Sequence, residues 1–342
     1  MTVFDDSLLE DERVLAAADP ALRQLAEAGS RLRIEAAAAE SGLSALNEGR
    51  SDRPRAVIAV GAEARLVRAL LEPVCPVPFV AWPVAGLPGW VGPLDLVVVL
   101  AAEAADVALV ATAREAVRRG ARLIIACPDS SPLAEHGASA STTLLTTRTA
   151  DSLAASVVVL EGLCRLGLGP RVAVEQVAEI VDDVARRCSP HTDLATNPGK
   201  ELALAVGDAQ PLVWGGSVLA ARASRRIAEG LRLASGRPAL AADADALLPV
   251  IETVAVKDPF ADPFDQPEVR PVLVVLDDGN SEAWIRAARG RLMAAAERHD
   301  VRVSVVEADQ GEEIDRYAAL LQQGLYGCRY LAVGLGRHGD RS

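Results

Sequence analysis

The residues that could do chemistry crowd into one stretch. Asn197-Pro198-Gly199-Lys200 precedes an apolar run, Pro211-Leu212-Val213-Trp214, which ends in Gly215-Gly216-Ser217. A glycine pair and a serine between a strand and a helix expose backbone amides at the helix start, where they can take an anion. Ser217 is equally placed to cap that helix, and capping alone explains its presence. Arg225, Arg226 and Arg232 on the next helix supply the positive potential a ligand phosphate wants, and Asn197 and Lys200 could contribute from the preceding segment. Glu229 reads as an ordinary solvated surface charge. Lysine chemistry is confined to two positions, because only Lys200 and Lys257 among the 35 basic residues are lysines.

Other constellations carry less. Gly215-Gly216 opens no GxGxxG, because Ser217 to Ala220 contains no glycine, so a nicotinamide cofactor is disfavoured and no cofactor is implied. The five cysteines (75, 127, 164, 188, 328) are odd in number and far apart, with no metal-ligand spacing; they read as buried small hydrophobes. No metal is expected. Asp258, Asp262 and Asp265 match no calcium loop and read as an ordered turn region. Ser130-Ser131 and Thr142-Thr143 read as turn or edge-strand residues, His299 as a helix C-cap, and His338 as part of a frayed tail.

These residues need a scaffold, and the hydropathy pattern supplies one. Half the chain is hydrophobic, the aromatic share is 3%, and the net charge is −12. Small aliphatic packing follows, and the acidic balance argues against nucleic acid and anionic membrane surfaces as partners. The acidic N-terminus and the lack of a long apolar stretch point to a soluble cytoplasmic protein. Residues 5–48 read as helices, with Pro20 placed to open a new one after Asp19. From Arg55 short apolar runs alternate with amphipathic helices: strands at 56–60, 77–81, 94–100, 122–127 and 142–146, then a helix over 151–166. Residues 172–187 read as the main element of a helical bridge. Alternation resumes with strands at 211–214, 238–242, 272–276 and 302–306 and helices at 218–233, near Leu247, 282–299 and 312–333. Continuous apolar strands alternating with helices mean α/β, with doubly wound, mostly parallel sheets, and the two similar halves suggest a pseudo-repeat. The implied organisation is an N-terminal helical segment (1–52), a first α/β domain (53–168), a helical bridge (169–196) and a second α/β domain (197–342).

The Asn197-Pro198-Gly199-Lys200-Glu201-Leu202-Ala203 segment, followed by Pro211 to Gly216, resembles the bifunctional phosphoglucose/phosphomannose isomerase family of the sugar isomerase (SIS) superfamily. It looks closest to a divergent actinobacterial, TobH-like branch. The resemblance spans most of the chain. It implies two doubly wound SIS domains, a homodimer, a sugar-phosphate ligand and aldose–ketose isomerisation through an enediol. Against the family pattern, the first phosphate loop reads Gly61-Ala62-Glu63-Ala64, without hydroxyls, and the second reads Ala101-Ala102-Glu103-Ala104-Ala105-Asp106. Carboxylates there satisfy a helix dipole and repel a phosphate dianion. Where the family carries its shuttle glutamate, this chain has Leu231-Arg232-Leu233-Ala234. Where the family has His-Asn-Glu, it has Val250-Ile251-Glu252, and no lysine follows Lys257.

Two functional expectations follow. In one, the chain is a degenerate isomerase homologue with a carbohydrate-derivative-binding or structural role. In the alternative, it is an active isomerase of glucose-6-phosphate or mannose-6-phosphate that uses Glu252 or Glu229, Lys200 and the arginine cluster.

Overall fold

The computed structural model describes residues 3–48, 53–102, 107–255 and 269–337. A 3-10 turn at Asp6–Leu9 leads into helices α1 (Glu12–Ala26) and α2 (Ala28–Glu48). Then follow β1 (Val57–Gly61), α3 (Ala64–Leu71), β2 (Phe79–Ala81), β3 (Leu96–Leu100), α4 (Val107–Arg118), β4 (Arg122–Cys127), α5 (Pro132–Gly137), β5 (Thr142–Thr146), α6 (Ser152–Arg165) and α7 (Val174–Arg187). The chain continues through α8 (Pro198–Val206), β6 (Gln210–Gly215), α9 (Val218–Ser235), β7 (Leu240–Ala241) and α10 (Ala244–Glu252). It ends with β8 (Pro271–Asp277), α11 (Ala283–Arg298), β9 (Arg302–Glu307) and α12 (Glu313–Gly334). These elements form two compact units: Ala28–Glu179, the first unit, and Met1–Glu27 with Ile180–Ser342, the second. The N-terminal helices are thereby shared out, α1 to the second unit and α2 to the first.

The first unit is built on a parallel five-stranded sheet in the order β2-β1-β3-β4-β5. Ile58, Val60, Val97, Val99, Leu123 and Ile125 point to one face and pack with Ala113 and Ala116 of α4 and Leu133 of α5. α2 and α6 pack closely in the same unit, where Gly162 leaves room for Leu43 and Leu46. β1 ends at Gly61, whose φ of 114° and close approach to the Leu100 carbonyl admit only glycine.

The second unit repeats this plan with four parallel strands, β7-β6-β8-β9. Leu212, Trp214, Leu273 and Val275 pack against Leu247 and Ile251 of α10 and Leu292, Ala295 and Ala296 of α11. α8, α9 and α12 pack together through small residues: Gly199 lies under Tyr326 and Tyr330, Gly324 against Ile227, and Gly327 against Leu202. Reading each sheet in chain order, both run second–first–third–fourth; the first unit adds a fifth strand. That match is what a pseudo-repeat requires.

Two local expectations are corrected. Pro20 does not open a helix: α1 runs through it without a break from Glu12 to Ala26. Asp11 caps the true start by accepting from the Arg13 and Val14 amides, and burial of Ala18 and Leu22 on either side of Pro20 holds the helix together despite the missing donor. Ser131 is not a plain turn residue, because its hydroxyl caps the short helix α5. The 258–265 turn region, Lys257, Glu103 and His338 lie outside the described residues. No helix among the described residues is long and apolar enough to cross a membrane.

Candidate functional site

In an open parallel sheet, ligands bind beyond the carboxyl ends of the strands where the strand order reverses. That point falls between β1 and β3 in the first unit and between β6 and β8 in the second.

In the second unit the crevice lies between Gly215-Gly216-Ser217, after β6, and Asp277-Asp278-Gly279-Asn280, after β8. The pairing of Gly215 with Leu276 sets the two turns side by side. Ser217 is the N-cap of α9, with φ −76° and ψ 166°, and its Oγ accepts the Ala220 amide at 3.0 Å. The same hydroxyl donates to the Asp278 carboxylate in a short hydrogen bond. Asp278 also accepts the Asn280 amide, and its main-chain carbonyl accepts from Arg316 Nη1 at 3.0 Å. Arg289 bonds the neighbouring Asp277. The two glycines are tightly enclosed: Gly215 lies against the Ala220 backbone, and Gly216 lies between Ile285 and the Trp214 indole. The exposed Trp284 indole, on the second residue of α11, bonds Glu282 at the rim.

Asn197 and Lys200 are buried, with 1% and 2% of their surface exposed. Asn197 caps α8: its Oδ1 accepts the Gly199 and Lys200 amides, both at 3.0 Å, and its Nδ2 donates to the Ser189 carbonyl. Lys200 Nζ donates to the carbonyls of Pro190 (3.1 Å) and Thr192 (2.9 Å) and lies 5.8 Å from the centre of the Tyr330 ring. Burial lowers the lysine pKa, and the Glu10 and Asp193 carboxylates act in the opposite direction. Tyr330 in turn donates to the Cys188 carbonyl at 2.7 Å. Burial pushes the Cys188 thiol up to about 12, so it stays protonated. The Asn-Pro-Gly-Lys segment thus ties the 188–192 loop to α8 and α12.

The remaining candidates lie elsewhere. Helices of such a unit run back from the carboxyl edge of the sheet to its amino edge, so late helical residues lie far from the crevice. At 1.5 Å per residue, Glu229 is about 18 Å and Arg232 about 22 Å along α9 from Ser217. Arg232 Nη1 donates to the Ala239 carbonyl, just before β7. Glu229 is exposed and faces Arg226 at 4.0 Å, and Arg225 is exposed. Glu252 ends α10 and pairs at 3.6 Å with Arg298, the last residue of α11. The structure therefore joins Gly215, Gly216 and Ser217 to one another. It does not join them to Glu229, Arg232 or Glu252.

In the first unit Glu63 holds the N-cap position of α3 and is buried, but it makes no side-chain capping hydrogen bond. A second carboxylate, which the sequence did not flag, is better held. Glu35 of α2 is 1% exposed and accepts the amides of Arg148 (3.0 Å to each oxygen) and Thr149 (2.6 Å) and the Thr149 hydroxyl. Beside it, Arg31 bonds Asp151, the N-cap of α6, and Arg148 bonds Asp129. Asp278 was missed as well, although an Asp-Gly-Asn turn after a strong strand was the available signal. Among the described residues no group of three or more His, Cys, Asp or Glu side chains could hold a metal ion.

No protein-family model matches the chain, and no curated protein matches it by sequence. Solved structures do match. A proposed phosphosugar isomerase from Silicibacter pomeroyi aligns over 93% of this chain and 99% of its own, with a TM-score of 0.66 at 15% identity. The C-terminal domain of glucosamine-fructose-6-phosphate aminotransferase from Francisella tularensis aligns over 92% and 96%, with a TM-score of 0.62 at 13% identity. A proposed sugar-binding protein from Salmonella typhimurium aligns over 91% and 98%, with a TM-score of 0.59 at 12% identity. The fold is thus the SIS-type α/β architecture of these proteins, with two parallel-sheet units.

Proposed function

We propose that this chain is a SIS-fold homologue of the sugar-phosphate isomerases that no longer turns over glucose-6-phosphate or mannose-6-phosphate efficiently, and that keeps a carbohydrate-derivative-binding or structural role. One observation carries the reading: the groups an enediol mechanism would need are not gathered. Isomerisation needs a base within hydrogen-bond reach of C1 and C2 and a cation near the developing oxyanion. Lys200 spends its protons on two carbonyls under Tyr330. Glu252 sits at the end of α10 with Arg298, and Glu229 far along α9. The hydroxyl at the strand-order reversal, Ser217, is engaged by Asp278. The fold, shared with phosphosugar proteins, supports a ligand of that general class.

The test is an isomerase assay. Purified protein at high concentration is incubated with glucose-6-phosphate or mannose-6-phosphate, and fructose-6-phosphate is measured. The expected result is no turnover above a heat-denatured control. Turnover that Glu252→Gln or Lys200→Met abolishes would overturn the proposal in favour of an active, rearranged isomerase.

A further inference from the structure

The first unit carries a groove that the functional reading above does not use. It lies along α4, has a volume of about 480 Å³ and is lined by Ala111, Arg114, Glu115 and Arg118. Positions i, i+3, i+4 and i+7 fall on one helix face, so a single stripe of α4 forms its floor. The volume is within the ~300–1,000 Å³ of small-molecule sites. The stripe starts one turn after Val107 and ends at Arg118, the last residue of α4, so it lies back from the carboxyl edge of the sheet.

Three arginines share one carboxylate there. Arg119 Nη2 donates to Glu115 Oε1 at 2.6 Å, and Arg118 Nη2 reaches the same oxygen at 3.4 Å. Arg119 is held further, because its Nη1 donates to the Pro88 carbonyl at 2.6 Å. The chain before Pro88 is fixed on α4 as well, where the Gly86 amide donates to Thr112 Oγ1 at 2.9 Å. Arg114 has no acidic partner among the described residues; it is exposed, and so is Arg118, at 73%. The end of the helix needs neither of them. The Arg119, Gly120 and Ala121 amides already close the last turn on the Glu115, Val117 and Ala116 carbonyls. Like charges four apart on one helix face repel, and a glutamate already claimed by Arg119 leaves that repulsion uncompensated. The chain as a whole carries −12, but at physiological ionic strength charges beyond ~8 Å are largely screened, so the local positive excess decides.

The spacing selects the shape of the anion. Arg114 and Arg118 stand about 6 Å apart along the helix axis, at 1.5 Å per residue. A carboxylate offers two oxygens, which one guanidinium fork occupies in full. A phosphate monoester offers three and can accept from both forks at once. We propose that the α4 groove binds a small phosphate monoester, its phosphoryl oxygens held between Arg114 and Arg118 and its organic part lying over Ala111. The site shares no residue with the crevice of the second unit, and it stands apart from the functional reading above.

Calorimetric titration of the full-length protein with inorganic phosphate and with phenyl phosphate, at constant ionic strength, tests the site. At pH 8, above the second phosphate pKa of ~6, both probes are dianions. The expected result is one saturable site for each probe and no saturation by acetate. Arg114→Gln should weaken both about tenfold, the worth of a hydrogen bond between charged groups. Ala111→Phe should weaken phenyl phosphate and leave inorganic phosphate unchanged. Both positions are exposed on α4, and circular dichroism confirms that the variants fold. Arg225→Gln, at an exposed arginine of the second unit, is the control and should change neither affinity. Failure of both probes to saturate in the millimolar range overturns the proposal. So does binding that Arg114→Gln leaves unchanged, an equal loss with Arg225→Gln, acetate binding as tightly as phosphate, or an Ala111→Phe variant that still binds phenyl phosphate normally. Turnover in the isomerase assay would leave this site standing, and failure of the titration would leave the functional reading standing.

Discussion

The two units share a strand order but place negative charge at their carboxyl edges in different ways. In the first unit a fully buried carboxylate, Glu35, reaches across from α2 and is enclosed by two amides and a hydroxyl from the turn after β5. In the second a neutral hydroxyl, Ser217, caps α9, and the charge stands one bond behind it on the half-buried Asp278. The first arrangement commits a charge to the interior and makes the turn depend on it. The second leaves the charge in contact with water and asks little of it. Repeating a fold therefore does not repeat its electrostatics, and the two edges should respond very differently to the loss of one side chain.

The largest effect is expected at Glu35. Glu35→Ala leaves two part-buried amides and a hydroxyl without the charged group they now bond, and should cost about 3 kcal/mol. Urea unfolding followed by circular dichroism would measure it, and a loss below that of Ser217→Ala would break the comparison. Lys200→Met in the second unit should cost about 2 kcal/mol, because it leaves the Pro190 and Thr192 carbonyls without their donor and removes the contact with Tyr330. This too can be read from urea unfolding. Ser217→Ala should cost about 1 kcal/mol, the ordinary value of a helix cap, and Asp278→Asn less, because the amide can still accept from Ser217. Breaking the exposed Arg226–Glu229 pair with Glu229→Gln should leave the unfolding midpoint unchanged.

Alkaline pH sharpens the same contrast by another route. Burial raises the Cys188 and Cys328 thiols from 9.0 to about 12. The folded state therefore holds protons that the unfolded state releases. Their contribution to stability is complete below pH 9 and is lost as pH rises from there towards 12. Lys200, with its pKa lowered, works the other way as pH approaches its unfolded value, and so offsets part of the loss. Melting temperatures measured from pH 8 to 11 should fall, and Cys328→Ala should flatten the slope. A thiol reagent at pH 8 should modify the partly exposed Cys75 and Cys164 in the native protein and reach Cys127, Cys188 and Cys328 only on unfolding.

The strands could be read from the sequence because buried parallel strands are unbroken apolar runs. Leu96–Leu100 and Val272–Leu276 have no other reading, and Arg122–Cys127 and Thr142–Thr146 were placed to the residue. Short α5 escaped because six residues carry no helical period, and Pro20 misled because a proline that opens a helix and one tolerated inside it look alike in a string. The site was harder to read. Ser217 as a cap follows from local rules, whereas its partner Asp278 follows only from the register of β6 on β8. Lysine is usually exposed, so nothing in Asn197-Pro198-Gly199-Lys200 announces that Lys200 is buried on carbonyls. Glu35 sits in an alanine-rich helix, and only the return of the chain at Arg148 and Thr149 gives it a role.

That the second sheet has four strands among the described residues also bears on handling. Where β5 closes the first sheet, β9 is the last strand of the second, and Val305 is more than a third exposed along it. Its run, Val303-Ser304-Val305-Val306, has the composition of a self-associating segment, and Arg302 and Glu307 bracket it with opposite charges. Those two residues act as gatekeepers, and the Arg302 guanidinium is further fixed on the Ala205 carbonyl. Colloidal behaviour should therefore depend on two side chains that contribute nothing to the core. Neutralising both should turn a dispersed protein into one that precipitates on concentration while its melting temperature stays the same.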